Sequence, residues 1–141
     1  MMNLKLIGLS CILAANFAIA QNQLTVNVKN LVPNKGFVEV ALYNKSDGFL
    51  KEKTRFRRER IKVVGNAVQY SFKNLPHGNY AIATYQDENG NGICDRNLLG
   101  IPKEGYAFSQ NFKPKIAAPN FDDVRLSVNK NTSVSVNMIK N

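Results

Sequence analysis

"LTVNVKN", residues 24–30, alternates apolar and polar side chains without a break: Leu24, Val26 and Val28 fall on one side, Thr25, Asn27 and Lys29 on the other. A period of two marks a strand with one face buried, because successive Cβ atoms leave the backbone in opposite directions. The rhythm returns in FVEVALY (37–43), with Val38, Val40 and Leu42 on one side, and in AVQYSFK (67–73), where Val68, Tyr70 and Phe72 are predicted to face the core. RIKVV (60–64), NYAIATYQ (79–86), DVRLSVN (123–129) and TSVSVNMIK (132–140) complete a set of about seven strands. Gly65-Asn66 predicts a two-residue hairpin turn between its flanking strands, and Lys130-Asn131 a second hairpin that ends the chain. Residues 49–59 could form a helical turn or two, but their charge density favours an exposed connection. The expectation is an all-β fold: an antiparallel β-sandwich of about seven strands, immunoglobulin-like or prealbumin-like, with one long functional loop. Closure as a small barrel is the alternative.

The chain has 141 residues, the length of one domain. Its first twenty, MMNLKLIGLSCILAANFAIA, run from Lys5 through an apolar stretch to the small-x-small pattern Ala18-Ile19-Ala20. They read as a secretory signal peptide, too short and wrongly flanked for a spanning helix. Residues 21–141 would then be a single β-sandwich domain, periplasmic or secreted, with no transmembrane segment after cleavage. Cys94 is the one cysteine outside the leader, so no internal disulfide is expected, and its thiol is read as buried and inert, with an intermolecular pairing the alternative. His77, the only histidine, sits in the turn Leu75-Pro76-His77-Gly78.

With 19 Lys and Arg against 10 Asp and Glu, the net charge is +9. Seven of the basic residues fall in KEKTRFRRERIK, residues 51–62. Such a run attracts anions: phosphorylated sugars, the headgroups of anionic envelope lipids, or nucleic acid, the last the least natural for an exported chain, so no nucleic-acid partner is expected. The competing reading is a solvated strand or short helix.

Residues 87 to about 120 lack periodicity, and a long irregular excursion from a compact domain tends to be functional. It opens with DENGNGICD (87–95). Counted from Asp87, side-chain oxygens recur at Asp87, Asn89, Asn91 and Asp95, Gly92 takes the sixth position, and Ile93 the seventh, which ligates through its carbonyl. Those positions fit the calcium-loop template. Leu98 stands where the template has its bidentate glutamate, and no helix flanks the loop, so an EF-hand is excluded. Glu104 is the nearest substitute carboxylate, with Asp122 and Asp123 further off. The expected metal ligands are therefore Asp87, Asn89, Asn91, Ile93, Asp95 and Glu104, and the expected cofactor calcium, bound at ~10⁻⁴–10⁻³ M because only two of the loop's own ligands are charged. Asn-Gly pairs also build metal-free turns, since both residues tolerate positive φ. Zinc would have only Cys94 and His77. In LLGIPKEGYAFSQN (98–111), Tyr106, Phe108, Ser109 and Asn111 could form a contact surface for a glycan or peptide, or a packed loop over a sheet edge.

LPHGNYAIATYQDENGNGICDRNLLGIPKEGYAFSQN (75–111) followed by APNFDD (118–123) resembles an exported bacterial family, domain of unknown function 2141. The resemblance rests on Gly78, Tyr80, Asp87, Asn89, Asn91, Gly92, Asp95, Asn97, Gly100, Pro102, Glu104, Phe108, Ser109, Phe121 and Asp123. Gln86 stands where relatives often carry histidine, and Ala107 where glycine is common. The resemblance implies an exported β-sandwich of Gram-negative type and no particular activity.

The functional expectation is a non-catalytic binding module that presents 87–111 to a partner or glycan. An anion-binding envelope protein acting through 51–62 is the alternative. A glycan hydrolase is a lesser one, using two of Asp87, Asp95, Glu104 and Asp123 set ~5–10 Å apart. No Ser-His-Asp or Cys-His set supports other hydrolysis.

Overall fold

The computed structural model describes residues 21–140. The leader reading of residues 1–20 lies outside the described residues. The described residues are mostly β, with eight strands: β1 (Asn22–Lys29), β2 (Phe37–Tyr43), β3 (Arg57–Lys62), β4 (Ala67–Leu75), β5 (Gly78–Asp87), β6 (Tyr106–Phe108), β7 (Leu126–Val128) and β8 (Thr132–Asn137). They form a three-stranded sheet in the order β4-β1-β8 and a five-stranded sheet built on β3-β2-β5-β6, with β7 also paired to β5.

Alternation in β1 buries Leu24, Val26 and Val28, each at most 1% exposed. They meet Val38, Val40 and Leu42 of β2, Tyr80 and Ile82 of β5 and Phe72 of β4 in one core cluster, with Val68 and Tyr70 packed at its margin. Burying a side chain of this size stabilises the fold by about 1.5–3 kcal/mol. β6 and β7 pair with successive stretches of β5, Ala83–Tyr85 and Gly78–Tyr80. Between them the Ile82 N–H donates to the hydroxyl of Ser109, 3.0 Å away. That hydroxyl donates in turn to the Val124 carbonyl, so a buried backbone donor is satisfied where the strand ladder is interrupted.

Two sequence expectations are corrected. Gly65-Asn66 does not close a hairpin: β3 pairs with β2 and β4 with β1, so the link crosses from one sheet to the other. Its backbone instead bonds to the β1–β2 crossing, through Leu31 N to Asn66 O (2.9 Å), Asn34 N to Val64 O (3.0 Å) and Val63 N to Gly36 O (3.1 Å). Two adjacent crossings satisfy each other's polar groups, and Val63, 1% exposed, pins theirs to the core. Nor do the last strands form a hairpin. β7 joins β5, whereas β8 lies parallel to β1 with Val26 opposite Val134, so the strands are not all antiparallel. This placement brings Val136 and Met138 into the core.

The eighth strand, β6, falls in the segment without periodicity and has only three residues, too few to alternate visibly. Residues 49–59 divide between a 3₁₀ turn at Glu52–Thr54 and the start of β3. Among the described residues no helix is long and apolar enough to cross a membrane.

Candidate functional site

β2 and β5 are buried along both faces, unlike β1. The face away from the main core carries Glu39, Ala41 and Tyr43 opposite Tyr85, Ala83 and Ala81, and β6 adds Tyr106 beside Tyr85 and Phe108 beside Ala83. Ala41 and Ala83 thus make a low floor between rows of larger side chains. At one end of the floor Tyr43, Phe49 and Phe121 close a second apolar cluster, with ring centroids 5.0 and 5.8 Å apart. Residues 94–102 and 114–118 pass over the floor and leave a cleft of about 400 Å³.

Of the basic stretch, Arg55 lines the cleft, beside Glu39, Arg96 and Lys115. Arg55 stands 3.0 Å and Arg58 3.5 Å from the carboxylate of Glu39, whose side chain is 2% exposed. Arg60 pairs with Asp87 at 2.7 Å, and Arg57 donates to the carbonyls of Lys73 and Asn74. All four arginines of residues 51–62 therefore have partners within the fold, and among the described residues the lysines of that stretch form no ion pair. Burial pushes the Tyr43 phenol up, against the pull of Arg55. Burial, with the charges of Glu39 and Asp87, pushes Tyr85 well above the ordinary phenol range. Burial also raises the Cys94 thiol, against the pull of Arg96, which keeps it protonated at neutral pH.

The 87–95 loop adjoins the cleft. Asp87 is wholly buried. Its Oδ1 accepts from Asn91 N (3.1 Å) and its Oδ2 from Gly92 N (2.8 Å) as well as from Arg60. Burial alone would raise this carboxyl; the Arg60 guanidinium and the loop N–H groups hold it below the ordinary range. Asn89 and Asn91 turn their amides onto Asp95 Oδ2, at 2.7 and 2.9 Å. Their own oxygens accept from the N–H groups two residues on, of Asn91 and Ile93. Glu104 is 8% exposed and accepts from Glu88 N (3.0 Å) and Asp95 N (3.2 Å). Burial raises its carboxyl, and the charges of Asp87 and Asp95 add to the rise against the two N–H groups.

The six expected ligands thus occupy one loop and its neighbour, but the side-chain oxygens of Asp87, Asn89, Asn91 and Glu104 and Oδ2 of Asp95 are taken up by donors of the protein. Ile93 is 56% exposed at the loop's outer side. Asp122 and Asp123 do not join them: Asp122 pairs with Arg125 at 3.4 Å, and Asp123 caps the 3₁₀ turn that begins at Phe121. Among the described residues no three His, Cys, Asp and Glu side chains are grouped to hold a metal by themselves. Of the two polar residues named as contact groups, Ser109 is fully buried, whereas Asn111 is exposed and its amide bonds the Ser135 carbonyl and Asn137.

Sequence reasoning passed over Glu39, took Arg55 only as part of the basic stretch, and noted Gln86 only as a departure from relatives. Gln86, 1% exposed, ties β5 to the β1–β2 crossing through Val32 and Lys35. A glutamate inside the apolar run of β2 was the available signal, because a carboxylate between two buried strands requires a cation.

Over residues 26–136 the chain matches the family domain of unknown function 2141, described as an uncharacterized protein conserved in bacteria, and it belongs to that family. No curated protein and no solved structure matches it.

Proposed function

We propose that this member of an uncharacterized bacterial family is a non-catalytic, exported β-sandwich module of immunoglobulin-like or prealbumin-like packing. It binds its partner or ligand at the outer face of the five-stranded sheet, beneath and along residues 87–111. The observation that carries this reading is the cleft of about 400 Å³, within the size range of small-ligand sites and floored by Ala41 and Ala83 among Tyr43, Tyr85, Tyr106 and Phe108. A non-catalytic role is supported by the candidate carboxylates being engaged: Asp87 with Arg60, Glu104 with two backbone amides and Asp123 with a cap. Partners for all four arginines make the basic stretch a weaker anion site than its sequence suggests.

The test is saturation-transfer NMR against soluble glycan fragments and short amphipaths. At least one class should give a signal that Ala83→Phe, which fills the floor, removes. No binding from any class, or binding indifferent to Ala83→Phe, would sink the proposal.

A second reading adds calcium as a weak ligand of the 87–95 loop. Its support is the closeness of Asp87, Asp95 and Glu104, whose mutual repulsion contributes to the raised Glu104 carboxyl and would be relieved by a cation. Asn89 and Asn91 would have to turn their oxygens inward, and the ion would compete with Arg60. At 5 mM calcium the melting temperature should rise by about 3–5 °C if the site has millimolar affinity. Asp95→Asn should remove the rise, and an unchanged melting temperature in the native chain would end this reading.

A further inference from the structure

The cleft's charge and the residues at its mouth narrow the ligand class, on the premise that the cleft is the binding site. Four charged side chains line it: Glu39, Arg55, Arg96 and Lys115. Glu39 already faces both Arg55 and Arg58, so the excess charge toward the cleft is positive. Arg55 Nε is buried and has no hydrogen-bond partner among the described residues, which leaves a donor of a cleft-lining residue in want of an acceptor.

The mouth is apolar. Leu99, Ile101 and Ile116 border it and are 84%, 42% and 100% exposed, with Leu98 fully exposed next to Leu99. A built turn presents them: Asn97 Oδ1 accepts from Leu99 N (2.9 Å) and Ile101 N (3.0 Å), and Arg96 donates to the Gly100 carbonyl (3.1 Å). Large aliphatic side chains gathered at the rim of a cleft are stabilised by apolar cover.

From these features we infer that the cleft takes a small anionic amphipath. Its apolar body lies on the Ala41–Ala83 floor under Leu99, Ile101 and Ile116, and its carboxylate- or phosphate-type head meets Arg55, Arg96 and Lys115. A free organic acid and the head of an anionic lipid share this chemistry.

Calorimetry with octanoate, octanol and octylamine tests the class. Octanoate should bind at least tenfold more tightly than octanol, and octylamine should not bind. Ala83→Phe should abolish octanoate binding. Lys115→Glu, an exposed change that leaves the melting temperature alone, should weaken it at least threefold. Vesicles of phosphatidylcholine with and without phosphatidylglycerol form the second arm. Octanoate binding without vesicle binding assigns a free acid, and binding only to phosphatidylglycerol vesicles, lost in Lys115→Glu, assigns a lipid head. Equal binding of octanol, preference for octylamine, or silence in both arms overturns the inference. Should octanol, octylamine or a glycan fragment then bind in a way that Ala83→Phe removes, the cleft remains the binding site and only the anionic class falls.

Discussion

Arg60→Met is expected to destabilise the protein by about 3 kcal/mol at pH 7, the lower end for removing one partner of a buried ion pair. The lower end applies because Arg60 is itself 26% exposed, whereas Asp87 is fully buried. Without Arg60, Asp87 keeps two backbone donors, Asn91 N and Gly92 N, but no countercharge. The variant also loses the stacking of the guanidinium over Phe37, 4.3 Å from the ring centre. The pH dependence separates charge from packing. In the native chain the Asp87 carboxyl lies below its ordinary value, so its contribution is present above about pH 4 and is lost as pH falls through the lowered folded value. In Arg60→Met burial dominates and raises the same carboxyl. The penalty is then full at neutral pH and eases on acidification as Asp87 takes a proton. Urea unfolding at pH 7 and pH 4 should show the gap between the two proteins narrowing, and Arg60→Met with Asp87→Asn should be more stable than Arg60→Met alone. A gap independent of pH would mean that Asp87 carries no uncompensated charge.

This pair marks where the sequence stopped being legible. Strands whose alternation faces a single core were readable: β1, β2 and β4 lie where Leu24, Val38 and Phe72 placed them. Which strands pair was not readable, because pairing across two sheets is decided by side-chain fit in the assembled core and no local turn reports it. Gly65-Asn66 carried hairpin chemistry, yet the chain crosses sheets there, with Val63 buried in the core just before the turn. At the candidate site the loop was legible, since Asn-Gly chemistry is local. The partners of its charges were not. Arg60 reaches Asp87 from 27 positions earlier in the sequence, and Glu39 meets Arg55 and Arg58 from the strand paired to β3, so part of a run that reads as a free basic patch is countercharge for buried carboxylates. The cleft was invisible for a similar reason. Its floor needs Ala41 and Ala83 opposite each other, and that depends on the register between β2 and β5.

Gly36→Ala is the second large effect, expected to cost at least ~3 kcal/mol, the range of overpacking combined with backbone strain. Gly36 has φ +54°, and a Cβ built there would sit 1.8 Å from the Asp87 carbonyl oxygen, 2.8 Å from its carbon and 2.9 Å from Glu88 Cα. All three neighbours are backbone, so no side chain can rotate aside. Relief requires the end of β5 to move away from the start of β2, where Phe37 is paired with Asp87. That shift would pull on the Val63 N–H bond to the Gly36 carbonyl and on the Gln86 bonds to Val32 and Lys35. It would also displace Asp87 and Glu88, from which the loop beside the cleft departs. Gly90 and Gly92 provide the comparison. Their φ values are +74° and +84°, and nothing lies within 4 Å of a Cβ at either. Gly90→Ala and Gly92→Ala should therefore cost only the left-handed conformational term, about 1–2 kcal/mol each. Denaturant unfolding of the three alanine variants isolates close approach from conformational preference. If Gly36→Ala costs no more than Gly92→Ala, the end of β5 can yield, and the loop is not held in place by the start of β2.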